Sequence, residues 1–329
     1  MGQAPLMILV TGANGFIGRA LSKRMIADGW LVRGAVRSAD RAAQLPPGVE
    51  QVLIGEVGPG TDWSSALAGI ETVVHLAARV HVADRWTEDS SEAHRLVNLA
   101  GTERLAHQAA SHGVRRFVFL STVKVHGEES PVPYDEDAPC MPRDPYGASK
   151  LEAEKVLRTI GRETGMQVVI LRPPLVYGAG VKANVLRLMT IVQRGIPLPL
   201  ASVNNRRSLI YLGNLTDAIV VCATNAKAAG RTFLVSDDED VSTPELIRKI
   251  AYSLERPVRL VPFPIPFMRL LGKLTGRSQS IEKVVGSLVV DSGRIRRELN
   301  WKPPFTMAEG LKETADWFRM AMTRSTGDI

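Results

Sequence analysis

Cysteine is almost absent from this chain, with two in 329 residues, Cys140 and Cys222. They lie far apart and at no metal-ligand spacing, which excludes a disulfide framework and gives no zinc motif; free thiols in a reducing compartment are expected. Aromatic residues are also scarce, at 5%, which argues against a base-stacking surface for nucleic acid. Long apolar runs are missing too. Met1–Val10 has no basic segment followed by an apolar one, and the nearest approach to a spanning stretch, Leu260–Leu274, is broken by Pro262, Pro264, Pro266 and Arg269. The expectations are no leader, no membrane span and a cytoplasmic location. The Pro-rich apolar segment Val261–Leu271 reads by default as packing in the second lobe, with a lid, a dimer patch or a peripheral membrane contact as alternatives. The six histidines show no ligand spacing, so no metal is expected.

The charge is lopsided but diffuse. Lys and Arg outnumber Asp and Glu by 41 to 34, for a net +7, an excess that favours an anionic partner. The basic residues fall in pairs such as Arg115-Arg116, Arg206-Arg207 and Arg296-Arg297 rather than in a run. Phosphate on a small ligand satisfies this pattern, and nucleic acid is not expected.

With 45% hydrophobic and 23% charged residues, the chain is globular and long enough for one large domain or two ordinary ones. Short apolar runs at Met7–Thr11, Leu31–Val36, Val49–Ile54, Thr72–Leu76, Phe117–Thr122 and Val168–Arg172 alternate with helical stretches at Gly15–Asp28, Glu92–His112 and Tyr146–Thr164. Strands apolar on both faces, separated by helices, predict an α/β fold with a doubly wound parallel sheet. Past Pro173 the texture turns irregular, with Pro and Gly clustered at 173–180 and 195–199. Residues 1–175 are therefore expected to form a dinucleotide-binding domain to which 207–226 returns. Residues 176–206 and 227–329 are expected to form a smaller C-terminal α/β substrate lobe.

The first strand runs into Thr11-Gly12-Ala13-Asn14-Gly15-Phe16-Ile17-Gly18. Three glycines between a strand and a helix leave backbone amides open to a phosphate, the Rossmann arrangement for a dinucleotide. The tip of the second strand, where an acid grips the ribose of NAD, instead reads Gly34-Ala35-Val36-Arg37-Ser38. A guanidinium there suits a 2′-phosphate, so NADP(H) is favoured, with NAD(H) the alternative. Tyr146 and Lys150 are spaced i, i+4 and share one helix face. An ammonium near the phenol is expected to lower its pKa toward the range a proton-transferring tyrosine needs. Ser121 and Thr122 end the fifth strand at the carboxyl edge of the sheet, the usual ligand crevice of such folds.

Together these residues resemble the extended short-chain dehydrogenase/reductases that act on nucleotide sugars. The likeness rests on Gly12, Gly15 and Gly18, Leu76-Ala77-Ala78, Asn98, Thr122, the Tyr146/Lys150 pair and Leu299-Asn300-Trp301-Lys302-Pro303 before a final helix. The resemblance implies Tyr146 as general acid/base and Lys150 as its partner and a ribose contact. It implies Thr122 beside the sugar oxygen and Asn98 as support. Asn14, Phe16, Ile17, Arg37, Glu56, Val57, Leu76, Ala77, Ala78 and Pro173 would line the dinucleotide. Ser121, Lys124, Asn184 and Arg207 would contact a UDP-sugar, Arg207 through the diphosphate. A homodimer is expected as well.

Departures from the family pattern narrow the chemistry. Dehydratases carry Asp-Glu after the catalytic Thr, where this chain has Val123-Lys124, and valine moves no proton. Glu56 stands for an aspartate, His126 for a tyrosine, and Leu175 for an asparagine of the epimerases. The segment 117–128 is similar to reductases of UDP-4-keto-6-deoxy-N-acetylglucosamine. The expected activity is reduction of a 4-keto UDP-sugar in surface polysaccharide precursor synthesis. UDP-hexose 4-epimerisation is the alternative, and a non-catalytic dinucleotide-sensing or RNA-binding module is the alternative of another class.

Overall fold

The computed structural model describes residues 7–80, 87–130, 132–276 and 278–326; the first six residues of the Met1–Val10 stretch lie outside them. Among the described residues nine strands form: β1 (Met7–Thr11), β2 (Leu31–Val36), β3 (Glu50–Leu53), β4 (Thr72–His75), β5 (Arg116–Leu120), β6 (Gln167–Arg172), β7 (Leu175–Tyr177), β8 (Leu209–Tyr211) and β9 (Thr232–Leu234). Seven build one sheet in the order β3-β2-β1-β4-β5-β6-β9, and every pairing in it is parallel. The order reverses between β1 and β4, which opens a crevice at their carboxyl ends.

The strands are apolar because both faces are covered, and alternate residues feed two separate cores. Ile8, Val10, Val118, Val169 and Leu171 pack on one side with Leu21, Met25, Ala218 and Cys222. Leu9, Phe117, Phe119, Val168 and Ile170 pack on the other with Leu105, Ala153 and Leu157. The six strands expected from sequence are all present; β9 is a seventh that the sequence reading passed over, three residues long. The short pair β7-β8 lies outside the main sheet.

Helix Leu212–Thr224 packs on the sheet, and a buried cation fixes its end. Arg116 on β5 donates to the carbonyls of Cys222, Ala223 and Asn225 at 3.2, 3.0 and 2.8 Å. These are the orphan acceptors of a helix C-terminus, where a guanidinium is favoured. Helices Ala183–Gln193, Thr243–Ser253 and Met307–Thr326 gather a third core around Tyr177, Val185, Met189, Ile247, Ile250, Leu311 and Phe318. Among the described residues, no helix is long and apolar enough to cross a membrane.

Candidate active site

The glycine turn is built for close backbone approach. Gly12 has φ +66°, and a Cβ there would lie 3.0 Å from the Ala77 nitrogen. A Cβ on Gly18 would lie 2.1 Å from the Gly12 carbonyl oxygen, so helix Phe16–Ala27 can sit this close only without a side chain. That helix starts at Gly15 with no side-chain cap and no acid in its first turn, leaving its amides and positive dipole end for an anion. Asn14, Phe16 and Ile17 are part-buried around it.

Behind the turn, a one-directional chain of hydrogen bonds joins it to helix Pro145–Thr164. The Thr11 hydroxyl accepts from the Leu76 and Ala77 amides, both at 3.1 Å, and lies 2.7 Å from His75 Nδ1. His75 Nε2 lies 2.9 Å from Thr102 Oγ1, whose single proton goes to the Asn98 carbonyl at 2.7 Å. Thr102 must therefore accept from His75 Nε2–H, so Nδ1 is bare and accepts from Thr11. The ring is neutral: burial, then Lys150, pushes its pKa down to about 3.

Asn98 continues the chain. Its Oδ1 accepts from the Arg79 amide at 2.7 Å, and its Nδ2 donates to the Arg79 carbonyl at 3.1 Å and to Ser149 Oγ at 3.0 Å. Ser149 donates in turn to the Tyr146 carbonyl at 2.8 Å. The Glu92–His112 stretch, expected as one regular helix, contains a π-helical segment at Arg95–Ala100. Such a segment re-aims side chains, and Asn98 lies inside it.

Helix Pro145–Thr164 opens with Asp144 accepting from the Gly147 amide at 2.6 Å and Pro145 at its first position. It packs against the turn after β5 so tightly that a Cβ on Gly147 would lie 2.8 Å from the Lys124 carbonyl. Tyr146 is half-buried, and Lys150 is 1% exposed, with its Nζ 3.8 Å over the Phe119 ring. The expected lowering of the phenol pKa is not what the chain alone produces. Burial, then the Asp144 charge, pushes Tyr146 well above its ordinary value. Burial brings the Lys150 ammonium down to about 7, against an upward pull from Glu154. Both groups lose water, and desolvation opposes the charged form of each. Glu154 is itself fully buried and pairs with Arg172, whose Nε lies 2.9 Å from it. Arg172 Nη1 lies 2.9 Å from His126 Nε2, and His126 Nδ1 lies 3.1 Å from the Ala138 carbonyl. That proton arrangement makes His126 neutral and structural.

Thr122 is 8% exposed, and its hydroxyl accepts from the Lys124 amide at 3.3 Å. The Ser121 hydroxyl is buried with no hydrogen-bond partner among the described residues. Pro173 follows β6, and its carbonyl accepts from the Val123 amide at 2.9 Å. Leu76, Ala77 and Ala78 follow β4, part-buried, and Val57 is buried near the end of β3. Arg37 and Glu56 pair across the tips of β2 and β3 at 3.1 Å, both exposed.

A charged cluster gathers around Glu128. Lys124 Nζ bonds Asp144 and lies 3.2 Å from Glu128, and Lys283 Nζ lies 3.4 Å from the same carboxylate. Part-buried Arg207 donates to the carbonyls of Lys283 and Gly286 at 3.0 and 2.9 Å; burial lowers its pKa and the negative charges of Glu128 and Glu129 raise it. Of the residues expected to contact substrate, Lys124 thus meets Lys283 at one carboxylate, and Arg207 is tied to the backbone of Lys283 and Gly286 instead. Asn184 is exposed near the start of helix Ala183–Gln193, and no hydrogen bond among the described residues ties it to this cluster. The sequence reading missed Thr11, His75, Thr102, Ser149 and Lys283, whose partners are distant along the chain. Among the described residues, no three His, Cys, Asp or Glu side chains gather as a metal site.

Set beside known proteins, this architecture has clear relatives. The NAD dependent epimerase/dehydratase family matches residues 8–236, and the chain belongs to that family. It is 43% identical over 326 residues to a UDP-glucose 4-epimerase of Vibrio cholerae, covering 98% of each chain. It is 27% identical to N-acetyl-alpha-D-glucosaminyl-diphospho-ditrans,octacis-undecaprenol 4-epimerase of Escherichia coli O157:H7, covering 94% of each. A solved short-chain dehydrogenase/reductase superfamily protein from Agrobacterium tumefaciens with bound NAD superposes with TM-score 0.75 at 28% identity, covering 97% of this chain and 99% of the other.

Proposed function

We propose that the protein is a UDP-hexose 4-epimerase that uses NAD(H). The observation that carries this reading is the enclosed Tyr146–Lys150 helix face, fastened through Ser149 and Asn98 to the glycine turn. The residues fit a dinucleotide: the cradle at Gly12 and Gly18 has no room for a side chain, and the helix N-terminus beyond it is uncapped. Bound there, the dinucleotide supplies the acceptor and donor for the hydride on sugar carbon 4. Gly12, Gly15, Leu76, Ala77, Ala78 and Pro173 would hold it, with Val57 and Glu56 at the adenosine end.

Tyr146 moves the proton. It takes the proton of the C4 hydroxyl as the C4–H bond breaks, which leaves a planar 4-ketone, and returns it when the hydride is restored to the opposite ring face. No net oxidation follows. Lys150 lies one helical turn along the same face, and burial lowers its ammonium to about 7, within reach of proton exchange near neutral pH. Thr122 would hydrogen-bond the reacting oxygen. Arg207, Lys283 and Lys124 bring cationic groups to one place, suited to a diphosphate. A diphosphate-linked sugar is common to the names of both epimerase relatives, which supports this assignment.

The sequence alone favours a 4-keto reductase and NADP(H). The 43% identity over nearly the whole chain to a UDP-glucose 4-epimerase favours epimerisation instead. Arg37 is engaged by Glu56, which offsets the positive charge that would attract a 2′-phosphate and supports NAD(H). The second reading keeps one feature in its favour, Leu175, 44% exposed, where the resemblance places an asparagine in epimerases. Two incubations separate them. Conversion of UDP-glucose to UDP-galactose without change in nicotinamide absorbance supports the epimerase. Stoichiometric cofactor oxidation on a 4-keto UDP-sugar, with no interconversion of UDP-hexoses, replaces it with the reductase.

A further inference from the structure

Helix Ile265–Leu274 has two apolar faces, and only one is packed. Met268 and Gly272 face inward, where a Cβ on Gly272 would lie 2.7 Å from Ile281 of helix Ser278–Val285. Met268 joins Val203 and Val285 in a small core. The other face carries Phe267, Leu270, Leu271 and Leu274, at i, i+3, i+4 and i+7, exposed by 59%, 51%, 50% and 75%. Val261, just before the helix, is exposed by 46%. Scattered exposed leucines are ordinary, but a stripe along one helix face marks a contact surface.

The charge around the stripe identifies what it contacts. From Arg256 to Leu274 there are four basic residues, Arg256, Arg259, Arg269 and Lys273, and no acidic one. Arg269 reaches forward to Glu282 at 2.9 Å, and exposed Lys273 stands on the same helix. An apolar face set among cations is the pattern of a helix lying in the plane of an anionic bilayer. A second copy of the chain would bring the same cations into opposition.

We propose that helix Ile265–Leu274 docks the protein on an anionic phospholipid surface, with the Phe267-Leu270-Leu271-Leu274 stripe in the acyl boundary and the basic residues at the headgroups. The surface adjoins the charged cluster, because the partner helix Ser278–Val285 supplies the Lys283 carbonyl that Arg207 grips. The inference concerns this surface and stands whichever sugar the site takes.

The test is co-sedimentation of the full chain with vesicles of equal parts phosphatidylcholine and phosphatidylglycerol, beside vesicles of phosphatidylcholine alone. Wild type is expected to bind the anionic vesicles at least about tenfold better, and the preference should weaken as salt rises. The triple variant Phe267→Ser, Leu270→Ser, Leu274→Ser, and separately Arg259→Glu with Lys273→Glu, should each lose about tenfold or more of that binding. Both should keep the wild-type melting temperature and turnover of soluble UDP-hexose. Equal sedimentation of wild type and variants, or no binding to anionic vesicles, overturns the proposal. So does light scattering in which the triple variant converts a wild-type dimer to monomer while vesicles bind neither. Vesicle binding without UDP-hexose turnover leaves the docking intact and removes only the epimerase reading.

Discussion

Replacing Lys150 by methionine should stabilise the protein while disabling it. The side chain is 1% exposed, and burial lowers its pKa from 10.5 to about 7. At 1.36 kcal/mol per pKa unit, holding the ammonium in that site costs about 5 kcal/mol when it is protonated. Below pH 7 folded and unfolded chains both carry the proton, and the whole cost is present. Between pH 7 and 10.5 the unfolded chain binds a proton that the folded chain has released, so the cost shrinks as pH rises. Methionine has similar length, carries no charge, and sets a thioether over Phe119 where the ammonium sits at 3.8 Å. The gain in unfolding free energy is therefore expected to be about 5 kcal/mol at pH 6 and about 2 kcal/mol at pH 9. Thermal unfolding of the cofactor-free protein at the two pH values reads this directly, as a rise in melting temperature of roughly 5–10 °C at pH 6 that narrows at pH 9. Turnover should fall by at least about a hundredfold, since the cation that shares a helix face with Tyr146 is gone. A variant that melts below wild type at pH 6, or a difference that does not change with pH, would refute the reasoning.

Three further outcomes follow from particular contacts. Gly18→Ala sets a Cβ 2.1 Å from the Gly12 carbonyl, so the helix must back away from the turn; dinucleotide affinity measured by calorimetry should drop more than about tenfold, with a loss of about 1–3 kcal/mol in stability. Asn98→Ala removes two hydrogen bonds to the Arg79 backbone and the one to the Ser149 hydroxyl. As a positioning residue it should lower kcat by about ten- to a hundredfold while KM for the UDP-sugar stays within about twofold; a rise in KM with unchanged kcat would contradict that role. Glu56→Gln frees Arg37 from its ion pair and should move the NADP-to-NAD binding ratio toward NADP by about tenfold, with little change in melting temperature because the pair is exposed.

The parallel sheet was legible because its strands are buried on both faces, which writes unbroken apolar runs such as Ile8-Leu9-Val10 and Phe117-Val118-Phe119 into the chain. The glycine turn was legible for a similar reason, since backbone approach at Gly12 and Gly18 admits no side chain. Tyr146 and Lys150 were visible as a pair by helical spacing, but their protonation was not. Whether a cation lowers a phenol depends on how much water each has lost, and that follows from the packing of Phe119 and Glu154 around them. His75 read as one strand residue among others; its part depends on Thr11 and Thr102, 64 and 27 positions away. Strand β9 is too short to carry a periodicity of its own and forms because β6 offers it an edge. The pairing of Arg37 with Glu56 joins two strand tips that only the sheet order brings together.

The central claim is that the Tyr146 hydroxyl moves the proton on the C4 oxygen of the sugar. Conversion of UDP-glucose to UDP-galactose by Tyr146→Phe, followed by chromatography beside wild type, tests it most directly. The expected result is a loss of at least about a hundredfold in kcat with dinucleotide binding retained; turnover at the wild-type rate would contradict the claim.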